Sequence, residues 1–114
     1  ISGNLPEAKR VIARALELEP NKYAYMTTFS QICLDAGDHE EAIDWARKAT
    51  QICPVDPQTF RHLALTCQLS GSSERALAAL KEAQTFHPNN SPLMELMEAI
   101  KLNKDIHDEL DAST

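Results

Sequence analysis

Gly3, Gly37 and Gly71 are the chain's only glycines, and they stand 34 residues apart. Ala8, Ala42 and Ala76 keep the same interval, as do Ala15, Ala49 and Ala83, and Pro20, Pro54 and Pro88. Four registers agree across 114 residues without an insertion. A period of this kind confines the chain to a stack of equivalent units, each unable to bury its apolar face alone.

Physical chemistry assigns a task to each recurring position. A glycine after a helical pattern supplies the left-handed conformation that closes a helix, and Asn4, Asp38 and Ser72 or Ser73 follow as caps of the next one. The two alanines lie seven residues apart, two turns on one face, where a small side chain lets a neighbouring helix come close. Proline five residues later ends the helix. Between each proline and the next glycine runs a second apolar pattern: Met26, Phe29, Ser30 and Cys33, then Phe60, Leu63, Ala64 and Cys67, spaced as one helix face. The unit is therefore helix, glycine turn, helix, proline stop. Composition agrees, with 15 Ala and 13 Leu against 7 Ile and 2 Val, a balance that favours helix over sheet.

The pattern resembles the tetratricopeptide repeat, whose 34-residue consensus runs W-x₂-L-G-x₂-Y, then A-x₃-F, then A and P. Met26-x₂-Phe29-Ser30-x₂-Cys33 matches its first part loosely and Phe60-x₂-Leu63-Ala64-x₂-Cys67 better. Its second part is matched by Ala8, Ile12, Ala15 and Pro20, by Ala42, Ala46, Ala49 and Pro54, and by Ala76, Leu80, Ala83 and Pro88. The resemblance covers residues 3 to about 102. It implies an all-α, right-handed α-α superhelix that acts as a scaffold. The expected organisation is the second half of a repeat at 3–20, full repeats at 23–56 and 57–90, and a capping helix at 91–104, together one domain over 1–104. Residues 105–114 are expected to form a frayed acidic tail.

At both ends of the array the pattern changes. In the last helix the inward register reads Met94, Met97, Glu98 and Lys101, so two positions have become charged, as suits a helix with no later repeat to cover it. Ser91 is expected to cap this helix, with Pro92 in its first turn. At the other end the first helix offers Ala8, Ile12, Ala15 and Leu16 with its own partner helix missing. Upstream repeats or a second copy should cover it, so a longer parent chain, which a start at Ile1 rather than Met also suggests, or a homo-oligomer is expected.

Function classes narrow by charge and motif. The net charge is −6, concentrated from Ser91 onward, where six acids face two bases, so nucleic acid is not an expected partner. No apolar run reaches the eighteen or so residues of a membrane span, and no membrane partner is expected. Cys33, Cys53 and Cys67 are scattered and odd in number. They read as free thiols in a reducing, cytoplasmic setting, with Cys53 at a helix end the readiest to react. No nucleophile elbow, phosphate loop or metal motif occurs, so neither an enzyme nor a cofactor is expected.

The expected site is the concave face formed by the first helix of each pair, which the resemblance assigns to a protein or peptide ligand. Setting aside packing positions leaves Thr27, Thr28, Gln31 and Asp35, with Leu34, on one helix. The next contributes Gln58, Arg61, His62, Leu65 and Gln68, with Leu69, and the third contributes Glu95 with Ala99. Arg61 is the natural anchor, because a guanidinium holds a carboxylate bidentately. Some family members clamp a C-terminal carboxylate with Lys and Asn on successive first helices; Thr27, Gln31, His62 and Glu95 stand there instead. Trp45 is expected to pack between adjacent repeats, and Asp44 to pair with Lys48 one turn on.

Overall fold

A computed structural model describes residues 4–112, which form six helices and no strand among the described residues. They are α1 (Leu5–Leu18), α2 (Tyr23–Asp35), α3 (His39–Ile52), α4 (Pro57–Leu69), α5 (Ser73–Phe86) and α6 (Ser91–Ala112). Each helix packs on the next, and α2, α4 and α6 also meet in order, giving an all-α solenoid of 49 × 35 × 20 Å.

Turn chemistry follows the period. Gly37 and Gly71 have φ of +86° and +88°, a region closed to most side chains. After α2 the Asp38 N–H bonds to the Cys33 carbonyl at 2.8 Å and the Gly37 N–H to that of Leu34 at 3.1 Å. Ser72 and Gly71 repeat this on Cys67 and Gln68 at 2.9 and 3.0 Å. This paired closure satisfies carbonyls the helix end would leave open. Gly3, expected to make the same turn, lies outside the described residues.

Caps differ in places from expectation. Asn4 and Ser72 accept the N–H of Glu7 and Arg75 as predicted. Asp38 makes no cap bond, because its carboxylate accepts instead from Lys9 of α1 at 3.1 Å, where Glu41 also receives that ammonium at 2.9 Å. Before α6 the cap is Asn90 rather than Ser91, its Oδ1 accepting from the Leu93 N–H at 3.0 Å. An amide oxygen one residue earlier reaches the N–H that a Ser91 cap would miss.

Two apolar clusters run through the stack. Leu16, Met26, Phe29, Cys33, Ala42 and Ala49 make the first, and the second runs from Ile43 and Ala46 through Phe60, Leu63 and Leu80 to Leu93, Met97 and Ile100. Ala42, Ala49, Ala76 and Ala83 have no exposed surface, as close helix approach requires. Their counterparts Ala8 and Ala15 in α1 are only half-buried, and Val11 is exposed. Trp45 stacks on Phe29 of its own repeat at 5.1 Å and packs against the cluster that also holds Leu16 of α1. Lys48 lies 4.1 Å from the Trp45 ring centre instead of pairing with Asp44, a cation over an aromatic face.

The largest departure lies at the C-terminus. Residues 105–112, expected to fray, are the last turns of α6, a single helix of 22 residues. No Gly or Pro interrupts the chain after Pro92, and Lys104 pairs with Asp108 at 3.0 Å one turn on, both of which sustain a helix. In its first half Leu93, Met97 and Ile100 are buried, whereas Met94, Glu98 and Lys101 are exposed. These three, with Leu77, Ala78, Lys81, Gln84 and Met97, line an end hollow of about 460 Å³.

Candidate functional site

Helices α2 and α4 enclose a cavity of about 360 Å³ lined by Tyr23, Ala24, Thr27, Asp56, Gln58, Thr59, Arg61, His62 and Leu65. Its framework begins with two helix starts brought side by side. The Asp56 carboxylate caps α4, one oxygen accepting the Gln58 N–H at 2.9 Å and the other the Tyr23 hydroxyl at 3.1 Å. That bond to Asp56 raises the Tyr23 pKa, since a neighbouring negative charge disfavours phenolate. Thr59 is buried, its hydroxyl turned back onto the carbonyls of Asp56 and Cys53 at 2.8 and 3.1 Å.

Deeper in, His62 bridges the repeats. Its Nε2 lies 3.0 Å from Ser30 Oγ, and Ser30 itself donates to the Ala42 carbonyl at 2.6 Å. With the hydroxyl hydrogen so engaged, Nε2 must carry the ring proton and Nδ1 is left as an acceptor. Burial pushes the His62 pKa down, because desolvation opposes the charged form.

Arg61 is the cation of this cavity, and it stands apart. It is exposed and forms no ion pair among the described residues. The nearest carboxylate in the lining, that of Asp56, already accepts two hydrogen bonds. An exposed guanidinium beside a half-buried imidazole, a phenol and Leu65 presents polar groups on a partly apolar floor.

Of the residues expected to bind, the structure gathers Thr27, Gln58, Arg61, His62 and Leu65 into this cavity. The others lie outside its lining. Gln31 and Asp35 satisfy each other at 2.9 Å, Thr28 turns its hydroxyl onto the Ala24 carbonyl at 3.0 Å, and Gln68 accepts from Ser73 at 3.0 Å. Glu95 is exposed on α6, away from the cavity. Tyr23 and Asp56 were not anticipated. Their signal was present: Tyr23 is one period before Pro57, so both residues mark the start of a first helix.

Among the described residues no group of His, Cys, Asp and Glu has the disposition of a metal site, and no helix is long and apolar enough to cross a membrane. The cysteines are free. Burial, with Glu41 nearby, pushes Cys33 up to about 11, and burial also raises Cys67.

Comparison with known proteins agrees with this architecture. The Small glutamine-rich tetratricopeptide repeat-containing protein 2 of Mycosarcoma maydis is 28% identical over 88 residues, 77% of this chain and 25% of that protein. The chain thus spans about a quarter of the length of the curated relative it matches. Among solved structures, the Yersinia enterocolitica type III secretion translocator chaperone SycD superposes with a TM-score of 0.71 at 21% identity, covering 91% of this chain and 77% of that one. The same chaperone in complex with a peptide of the translocator YopD also gives 0.71, over 90% and 84% of the two chains at 21% identity. A MamA RS-1 double mutant gives 0.70 at 19% identity, over 94% and 60%. A family model described as tetratricopeptide repeat matches residues 23–56, and the 34-residue period and the solenoid of paired helices support a tetratricopeptide-repeat assignment.

Proposed function

We propose that the chain is a protein-interaction scaffold that holds a peptide on the concave face of α2 and α4, with Arg61 as its anchor for a carboxylate. The observation that carries this reading is the unpaired Arg61 guanidinium in a cavity whose own carboxylate is occupied by Tyr23 and the Gln58 N–H. A charge-assisted bond to a ligand carboxylate would complete the site, and His62 Nδ1 offers an acceptor beside it. The solved complex of SycD with a peptide supports the general mode, since that fold takes a peptide ligand. Binding, rather than catalysis, is what these groups supply.

Selection of displayed peptides on the immobilised chain tests the proposal, with Arg61→Glu and Arg61→Lys in parallel after their helicity is matched. Enrichment of acidic peptides that Arg61→Glu loses and Arg61→Lys partly retains supports it. Identical recovery on all three proteins overturns it.

A second reading, assembly of copies through α1, is favoured by the half-burial of Ala8 and Ala15 and the exposure of Val11, where the equivalent Ala42, Ala49 and Trp45 are more covered. Sedimentation across concentration decides it. A mass that rises with concentration in the wild type but not in Val11→Glu supports assembly, and a constant monomer mass overturns it.

A further inference from the structure

Past Ile100 the helix α6 leaves the core. From Lys101 to Asp111 no side chain is buried, yet the helix continues for twelve residues past Ile100, to Ala112. Helices of this length are rarely stable in water through propensity alone, because tertiary packing of an apolar stripe usually holds them. The overhang carries such a stripe. Leu102, Ile106 and Leu110 follow one another at i, i+4 and i+8 and are 62%, 47% and 58% exposed. They form a line of about 12 Å on one face. Single exposed aliphatics need no explanation, but an ordered row does.

Its border is acidic. On a helical projection Glu98, Asp105 and Glu109 fall along one edge of the row. Asp105 and Glu109 form no ion pair among the described residues, whereas Lys104 is taken by Asp108 and Lys101 lies 3.8 Å from Glu98. Residues 102–112 hold Lys104 against Asp105, Asp108, Glu109 and Asp111, a net charge of −3. Two copies pairing through this face would set like charges against each other, which is destabilising. The backbone of α6 is committed to its own helix, so no strand can add to it and recognition must run through side chains.

We propose that the C-terminal half of α6 docks a basic amphipathic helix from a partner protein, whose aliphatic row packs on Leu102, Ile106 and Leu110 while its Lys or Arg residues meet Asp105 and Glu109. Helix-on-helix packing near-parallel to α6 seats such a row along its full length. The docked helix supplies the burial that the overhang lacks. This surface starts where α6 leaves the core and works independently of any ligand held at Arg61.

The test uses the whole chain and two synthetic helical peptides with leucines at i, i+4 and i+8, one flanked by lysine and the other by glutamate. The lysine-flanked peptide is expected to bind, and to weaken as salt is raised because exposed charges are screened within about 8 Å at physiological ionic strength. Asp105→Lys/Glu109→Lys should bind it at least about tenfold less tightly and gain the glutamate-flanked peptide. Ile106→Asp, at an exposed position, should lose both peptides with helicity checked by circular dichroism. Arg61→Glu should bind as the wild type does. Failure of the lysine-flanked peptide to bind, equal binding of both peptides to the wild type, or loss of binding in Arg61→Glu overturns the proposal. So does a wild-type dimer that Ile106→Asp dissociates.

Discussion

Ser30 and His62 meet at 3.0 Å across the boundary between successive repeats. Ser30 is fully buried and passes the link on to the Ala42 carbonyl of α3. One hydroxyl thus ties three helices, and it occupies the register where the next repeat has Ala64. Replacing Ser30 by Ala should fit sterically and leave the His62 Nε2–H without its main partner. Thr66 Oγ1, at 3.4 Å, is too distant to compensate fully. Urea unfolding of Ser30→Ala should show a loss of about 1–2 kcal/mol. Combining it with His62→Leu should cost less than the sum of the two single changes, because the orphaned donor goes too.

Stability should also fall on acidification through His62. Its pKa in the folded chain lies below the unfolded value because burial opposes the cation. Between the two values the unfolded chain carries a proton that the folded chain does not, so stability rises with pH there. The contribution is complete above about pH 6.5 and declines as pH drops below it toward the folded pKa. Thermal melts from pH 7.5 to 5.5 should show this decline in the wild type and a shallower one in His62→Gln. Parallel curves for the two proteins would count against it.

Gly37 and Gly71 predict a conformational penalty without a steric one. A Cβ added at either position meets nothing within 4 Å, but φ is +86° and +88°. Gly37→Ala and Gly71→Ala should each lose about 1–2 kcal/mol from the left-handed backbone alone. Gly37→Asn should lose less, since Asn tolerates this region. Denaturant midpoints that are unchanged for Ala would show that the turns relax.

Most of the helical frame was legible because each constraint recurs. Gly37 and Gly71 repeat a positive φ, and Ala42 and Ala76 repeat a buried contact, so one period reads the other. What could not be read lacks a repeated cue. Tyr23 and Asp56 meet through space between two helix starts, and the positions equivalent to Tyr23, Pro57 and Ser91, carry no phenol. The path of α6 beyond Asn103 escaped because the period ends with the last repeat and an acidic composition resembles a solvated tail. Helix continuation there rests on local i, i+4 pairs such as Lys104–Asp108. Within the concave face, register alone placed Thr28, Gln31 and Gln68 beside Arg61. Their side chains have local partners that spacing does not reveal.

The cysteines should separate by reactivity. Cys33 and Cys67 have no exposed surface, and burial holds both thiols in the neutral form, Cys33 up to about 11. Cys53 is only half-buried at the end of α3. Since the thiolate is the nucleophile, iodoacetamide at pH 8 should label Cys53 alone in the native chain and all three cysteines in urea. Mass spectrometry of digests distinguishes the sites, and native labelling of Cys33 at the rate of Cys53 would contradict the packing of α2 on α3.

Ala42 and Ala8 share one register but not one environment, and larger side chains should tell them apart. Ala42 is fully buried against α2, and its carbonyl receives Ser30. Ala42→Leu would force α2 and α3 apart and should destabilise by about 1–3 kcal/mol or more. Ala8 in α1 is half-buried, with no preceding helix over it among the described residues. Ala8→Leu should therefore leave the denaturant midpoint nearly unchanged in dilute protein. If copies assemble through α1, the same substitution should lower the melting temperature only at concentrations where assembly occurs, because the added side chain then meets a neighbour. A concentration-independent loss at Ala8 equal to that at Ala42 would mean that α1 is covered within a single chain.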